Sequence, residues 1–488
     1  MPPALGYVSG LVFFTTTFSW LSSLASLFET PALLGLPLLL AAYLSLYPAL
    51  WATLVRFPPQ SSPTAALHSL RNVAFALKAA AAWVLLDWLR GWLFTGFGWN
   101  TPGVALHQNL VLIQIADLLG LHGISFVLIF CNLALALACR RIALARSVHS
   151  IPAVRIELMA VLLIVCGCIS YGARKLLLFR PGTLHLQTAC LQPNQPQPTL
   201  LDPASEPIVF KTLDELMSLT TALAPPPDLI LWPEAATHRG IFADQDNHDF
   251  LLAQARRTPT PLLIGSVEPQ SFSTTGPIRL FNSAILVSNH AQNLQSYQKR
   301  HLVPFGEFLP FRAWMPGFIQ DLVPGDIAHG QSAHLLSLQL PNRPPIAIGT
   351  LVCFEDSLSR ETRDLALLGA QLLVNLTNDA WFGSSVASAQ HLANARFRAI
   401  ETRLPLLRCA NTGITALIDP LGRIEQKIPP FQTGLSTHSV AFQDTPPLPP
   451  FVRLGERWIW ICLLATLSLA FSPRTQPPRP LRSSGVSI

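Results

Sequence analysis

Ile346-Ala347-Ile348-Gly349-Thr350-Leu351-Val352-Cys353-Phe354-Glu355-Asp356 is the stretch from which the rest of the chain becomes readable. An uncharged apolar run with β-branched residues predicts a buried strand over 346–353. A thiol ends that strand and two acids follow it. Read alone, Cys353 is either a small buried hydrophobe or, if the chain turns sharply from strand to helix, an exposed nucleophile beside free backbone N–H groups. Outward from this stretch, similar runs at 184–191, 229–232, 262–266, 283–287, 372–376 and 406–410 predict further strands. Residues 208–223, 248–257, 360–368 and 387–403 read as helices. This alternation predicts a layered α/β domain over 183–444, long enough to bury a full core. Pro-rich segments at 193–207, 225–227 and 443–450 read as loops or linkers, and no internal repeat is present.

The flanks are different in kind. Half of the 488 residues are hydrophobic and only 12% are charged, against about 25% in a typical soluble chain; mean hydropathy is +0.39. A purely soluble enzyme and a disordered chain are both disfavoured. A spanning helix needs about 20 mostly apolar residues. Candidates lie at 1–28, 30–55, 72–94, 111–139, 158–173 and about 453–472. The first stretch lacks a basic start and runs too long for a cleaved signal peptide. The expected organisation is therefore a membrane domain of about five transmembrane helices over 1–175, the α/β domain over 183–444, a C-terminal transmembrane helix over 451–472 and a tail at 473–488. Lys and Arg concentrate at 55–71 (Arg56, Arg71), at 140–155 (Arg140, Arg141, Arg146, Arg155) and in the tail (Arg474, Arg479, Arg482), which predicts that these are cytoplasmic and that the α/β domain faces outward. Arg174, Lys175 and Arg180 sit on the other side and run against that rule. The excess of 33 Lys+Arg over 27 Asp+Glu is small and dispersed, so it gives no nucleic-acid footprint and fits a mild attraction to anionic lipid. The eight cysteines form no CxxC pair, no zinc spacing and no disulfide framework. No metal and no cofactor is expected.

Three short stretches carry reactive groups at predicted strand ends. Leu229-Ile230-Leu231-Trp232-Pro233-Glu234 places a carboxylate just past an apolar strand, where it is costly unless paired or used; alone, it reads equally as a surface-loop acid. Residues 297–307, Tyr-Gln-Lys-Arg-His-Leu-Val-Pro-Phe-Gly-Glu, gather Lys299, His301 and Glu307 about an apolar turn; alone, they read as a solvated charge run. The third is the Cys353 stretch. A thiol with a reference pKa of about 8.5 needs activation. A carboxylate can take its proton, and a lysine can stabilise the oxyanion of a tetrahedral intermediate. Glu, Lys and Cys in one domain therefore make a self-sufficient acyl-transfer site.

Trp232-Pro233-Glu234, the 297–308 string ending in HLVPFGEF, and Cys353-Phe354-Glu355 resemble the Glu–Lys–Cys motifs of the nitrilase (carbon-nitrogen hydrolase) superfamily. Within it, the chain is most similar to the apolipoprotein N-acyltransferase family, whose membrane helices surround a nitrilase-like domain. Arg90–Phe97, Asn378–Gly383 and Gln390-His391 with Ala395–Glu401 also resemble that family. The resemblance covers nearly the whole chain. It implies an αββα sandwich between membrane helices, with Glu234 as general base, Lys299 as stabiliser of the tetrahedral intermediate and Cys353 as nucleophile. It further implies a supporting Glu307, Glu355 at the site, the N–H of Phe354 as an oxyanion donor, and Trp381 and Phe382 lining the path of the acyl chain. The implied reaction moves the sn-1 acyl chain of a phospholipid, typically phosphatidylethanolamine, through a thioester to the α-amine of a diacylglyceryl-cysteine at an apolipoprotein N-terminus. It implies a place in a bacterial inner membrane with the catalytic domain in the periplasm. Three features depart from the family pattern: six candidate spans against about eight, the difference falling before residue 1; Phe354 where Tyr is common; and Pro198-Thr199-Leu200-Leu201 where a Lys and an aromatic pair are expected. The triad by itself also permits a membrane-tethered amide hydrolase, and the spans by themselves a non-catalytic membrane protein.

Overall fold

The computed structural model describes residues 3–55, 65–143, 155–270, 278–288, 293–320 and 325–471. The expected tail 473–488, Arg56 and Arg146 lie outside them. Within the described residues twelve strands form two six-stranded sheets. In chain order they are β1 Leu184–Gln192, β2 Leu229–Leu231, β3 Leu262–Gln270, β4 Arg279–Ser288, β5 Asn293–Gln298, β6 Leu336–Leu338, β7 Ile346–Val352, β8 Leu372–Thr377, β9 Leu406–Ala410, β10 Thr415–Ile418, β11 Ile424–Ile428 and β12 Gly434–Phe442. The spatial orders are β12-β1-β2-β3-β4-β5 and β11-β10-β9-β8-β7-β6. Strands β1–β2–β3 and β7–β8–β9 are parallel.

Strand periodicity builds the layers. Leu372, Val374 and Leu376 of β8 and Leu229 and Leu231 of β2 meet in the core between the sheets. Their neighbours point the other way: Ile230 packs under the helices Glu206–Thr221 and Gln245–Arg257, and Leu373 under Ser359–Leu367 and Ala387–Thr402. The result is the expected αββα sandwich. Strands β5, β6, β10, β11 and β12 were not legible. In β12, Ser, Thr and His interrupt the apolar pattern, and its pairing with β1 supplies what side-chain hydrophobicity does not. The 193–207 segment is not all loop: it holds the helix Gln197–Leu201, with Pro198 near its start, and a 3₁₀ turn at Pro203–Ser205 capped by Asp202.

Among the described residues four helical stretches are long and apolar enough to cross a membrane: Pro31–Leu54, Ala66–Arg90, Leu112–Ala143 and Arg155–Leu178. The first candidate is not one straight helix. Pro3–Thr17 and Ser19–Leu27 are bent by 54°, and the Thr17 carbonyl accepts a hydrogen bond from Gln390 of the α/β domain (3.1 Å) in place of a helical N–H. The third ends at Arg90 rather than at 94; a 3₁₀ turn at Leu93–Thr95 follows, in which Phe94 is left-handed (φ 52°). The last candidate is helical over Ile459–Ala470. Its 12 residues span about 18 Å, short of the length a crossing needs; Gly455 (φ 60°) breaks the chain before it.

Candidate active site

The carboxyl ends of the parallel strands converge, as ligand sites in such sheets do. Glu234 follows β2, Cys353 follows β7 and Asn378 follows β8. Glu234 is buried, 6% exposed, so the surface-loop alternative fails. Gly265 on β3 permits its placement: a Cβ there would lie 2.5 Å from the Glu234 Cα and from the Pro233 carbonyl oxygen. Oε1 of Glu234 accepts from Asn282 Nδ2 (2.7 Å), and Oε2 from the backbone N–H of Asn378 (2.8 Å). Asn282 also donates to Glu307 Oε1 (2.8 Å) and thus bridges the two carboxylates.

Lys299 begins the turn after β5 and its backbone N–H donates to the Asn282 carbonyl (2.8 Å). Its Nζ lies 2.7 Å from Glu307 Oε2 and 3.8 Å from Glu234 Oε1, with the side chain 1% exposed. Burial works against this ammonium, but Glu307, then Cys353 and Glu234, outweigh it and hold it above its ordinary value. It stays charged across the working pH range. Glu307 is fixed by the backbone N–H of Val303 (2.8 Å).

Cys353 sits at φ 52°, between β7 and the 3₁₀ turn Cys353–Ser357. That is the strand-to-helix elbow, held in a backbone region a non-glycine residue adopts only at a cost. Burial, with Glu234 adding to it, pushes the thiol well above its ordinary value, against Lys299. Burial also raises Glu234, against Lys299 and its hydrogen bonds from Asn282 and Cys353. The resting pair is thus a neutral thiol beside a carboxylate made more basic by its surroundings. Burial, Arg360 and Lys299 push His301 down to about 3, so it is neutral there.

The other expected residues occupy distinct places. Glu355 is held by the backbone and side chains that flank Lys299. It accepts from Tyr297 Oη (3.0 Å) and from the backbone N–H groups of Arg300 (2.7 Å), His301 (3.1 Å) and Val352 (2.8 Å), which latches the Lys299 turn to the elbow. The Phe354 ring stacks on Trp99 (5.6 Å) and Phe97 (6.3 Å), both from the loop after Ala66–Arg90. Phe382 meets Trp20 edge-on (4.6 Å) and Trp381 lies over Phe28 (6.3 Å). Phe354, Trp20, Trp99, Phe14 and Phe18 belong to one buried aromatic layer shared by the two parts of the molecule. Gln390 Oε1 ties that layer, accepting from both Trp20 Nε1 and Trp99 Nε1 at 3.1 Å. Asp87 and Arg90 form a buried ion pair (2.7 Å) that also holds the Trp99 carbonyl through Arg90 (3.1 Å).

Beneath the elbow lies a cluster not singled out from sequence. His391 Nε2 meets Asp356 Oδ1 (2.8 Å) and its Nδ1 meets Asp379 Oδ1 (2.9 Å). Arg408 pairs with Asp356 and lies 3.8 Å from Asp379. Asn375 Nδ2 donates to Asp356 and to the Cys353 carbonyl (3.2 Å). Burial opposes the imidazolium, yet Asp356 and Asp379 raise His391 to about 9, so two carboxylates face two cations. The available signal was an Arg in the middle of an apolar strand, a charge that must be paired if buried. The loop after β1 joins the site through Asn378, whose Nδ2 donates to Gln197 Oε1 (3.0 Å) and whose Oδ1 accepts from Asn411 Nδ2 (3.0 Å).

Residues 187–449 match the sequence model of the carbon-nitrogen hydrolases, and residues 3–134 match that of the apolipoprotein N-acyltransferase N-terminal domain. The apolipoprotein N-acyltransferase of Geobacter metallireducens is 33% identical over 96% of this chain and 86% of its own length. The chain belongs to the apolipoprotein N-acyltransferase family. The Nitrosomonas europaea member is likewise 33% identical, over 96% of this chain and 88% of its own. Among solved structures, an amidase from Nesterenkonia sp. covers 54% of this chain and 92% of its own, at 19% identity and a TM-score of 0.39. With its apolar helices, this member of the family is a membrane protein with a nitrilase-like α/β domain.

Proposed function

We propose that the protein transfers the sn-1 acyl chain of a phospholipid, phosphatidylethanolamine in particular, to the α-amino group of the diacylglyceryl-cysteine that begins a lipoprotein. The observation that carries this reading is the position of the elbow: Cys353 adjoins Phe354, which stacks on Trp99 in the aromatic layer continuous with the membrane helices. A nucleophile placed there meets acyl chains that never leave the bilayer.

In the first half-reaction Glu234 takes the Cys353 proton as sulfur attacks the ester carbonyl. The oxyanion forms beside the Lys299 ammonium and the N–H of Phe354, an opening N–H of a 3₁₀ turn with no partner within the turn. Collapse breaks the ester C–O bond, Glu234 returns the proton to the departing alkoxide, and lysophospholipid leaves. In the second, the lipoprotein amine attacks the thioester and Glu234 accepts its proton; collapse breaks the C–S bond, and Glu234 passes that proton to the departing sulfur, which regenerates the thiol. Glu307 keeps Lys299 aimed and charged; Trp381 and Phe382, with Trp20 and Phe28, line the path of the acyl chain. The catalytic domain faces the periplasm and the helices lie in the inner membrane.

The test uses the full chain in membranes containing phosphatidylethanolamine labelled in the sn-1 chain. Hydroxylamine-labile label is expected on the wild type and absent from Cys353→Ala, and a diacylglyceryl peptide should remove it as an N-acyl product. A folded, inserted wild type that never takes label, or that releases free fatty acid with or without the peptide, would overturn the reading.

A further inference from the structure

A cavity of about 620 Å³ lies at the ends of the same strands opposite to the elbow. Gln371, just before β8, and Leu404, just before β9, line it. The length of β8 therefore separates it from Asn378 and the elbow, about 20 Å at the rise of a strand. Its other walls are where the chain crosses between the two parts of the molecule: the end of Arg155–Leu178 on the way out, and residues 443–447 on the way back. With Arg155–Leu178 read as a span, a cavity bounded by both crossings lies at the outer end of that span. Leu177 and Leu178, 83% and 65% exposed, present apolar surface beside it.

Among the described residues four cations line this cavity, Arg174, Lys175, Arg180 and Arg403, and no acidic residue does. Two are already matched: Asp117 behind the wall binds Lys175 and Arg403, both at 2.8 Å. The other oxygen of Asp117 accepts from Tyr171 Oη (2.6 Å), so the carboxylate is fully engaged. Arg174 and Arg180 are exposed and make no ion pair among the described residues. These are the cations that run against the charge rule for outward-facing loops. A ligand that supplies negative charge at this depth accounts for their position.

We propose that this cavity binds the phosphate of an anionic membrane phospholipid, its acyl chains lying along Leu177 and Leu178. Guanidinium groups suit phosphate oxygens. A zwitterionic headgroup fits less well, because the carboxylate at the rim, Asp444, already accepts from Gln371 through Oδ1 (3.1 Å) and is outnumbered by the two open guanidinium groups. The bound lipid fastens the catalytic domain to the membrane surface at the point where the chain passes between them; it is not the acyl donor, whose carbonyl must reach Cys353.

The proposal stands apart from the catalytic reading and is tested in protein that cannot form an acyl-enzyme. Full-length Cys353→Ala in detergent micelles is titrated with phosphatidylglycerol, with phosphatidylethanolamine and with inorganic phosphate, and bound lipid is counted by native mass spectrometry. Phosphatidylglycerol is expected to bind in preference, and inorganic phosphate at the same concentration should not displace it. Adding Arg174→Gln and Arg180→Gln should weaken binding about 30-fold, whereas Arg174→Lys with Arg180→Lys should retain most of it. Equal binding of the two lipids, displacement by phosphate alone, or unchanged binding in the glutamine variant would each overturn it. Both arginines are exposed, so neither substitution threatens the fold.

Discussion

At the two ends of β7, β8 and β9 this protein handles charge in opposite ways. At the carboxyl ends Asp356, Asp379, His391 and Arg408 are withdrawn from water, none more than 2% exposed at the side chain, and their charges balance. At the amino ends Arg174 and Arg180 stand open and unmatched beside a cavity. The difference follows from solvent. Under the elbow no water can compensate an odd charge, so each must meet its opposite within the fold. At the open end water is at hand, so a surplus is tolerated and, on the proposal above, is available to a lipid phosphate.

Removing one partner at each end sharpens that contrast. Arg408→Met leaves Asp356 and Asp379 facing a single imidazolium. We expect a loss of about 3–5 kcal/mol in unfolding free energy, read by thermal or denaturant unfolding of the detergent-solubilised full chain; a change below about 1 kcal/mol would mean that the buried charges are not balanced as described. Lys299→Met removes the ammonium beside the thiol and should slow acyl-enzyme formation about 10²–10³-fold in a single-turnover assay; an unchanged rate would deny Lys299 its role.

Acidity tests the buried end in a graded way. His391 is raised to about 9 from 6.5, so its stabilisation is complete below 6.5 and lost as pH rises through about 9. Asp379 is lowered to about 2 from 3.8 by His391 and Arg408 despite burial, so its stabilisation is complete above 3.8 and lost as pH falls toward 2. The unfolding midpoint measured from pH 6 to 10 should therefore decline more steeply in the wild type than in His391→Gln; parallel curves would break the argument. The smallest effect belongs to the open end. Lys175, 39% exposed in its pair with Asp117, shares that carboxylate with Arg403, and Lys175→Gln should cost at most about 1 kcal/mol.

How legible all this was depends on whether a feature is local in sequence. The apolar strands β2, β7 and β8, with Glu234 and Cys353 at their ends, are visible because hydrophobic runs and the residues that stop them are neighbours along the chain. The polar strands β5 and β12 were invisible because pairing, not side-chain hydrophobicity, holds them. The break at Thr17 in the first apolar stretch could not be read either, since the carbonyl it frees is met by Gln390, some 370 residues away.

The sequence by itself determined that apolar helices flank an α/β domain, and that a carboxylate, an amine and a thiol end its strands or follow them closely. Only the tertiary structure decided what those groups can do. Register sets Asn375 opposite Arg408, and packing of β4 brings Asn282 between Glu234 and Glu307. Folding brings the end of Arg155–Leu178 and the 443–447 linker to one cavity. The physical reason is the same in each case. Hydrophobic pattern is written residue by residue, whereas the burial and partnering that fix charge and reactivity arise only when distant segments exclude water together.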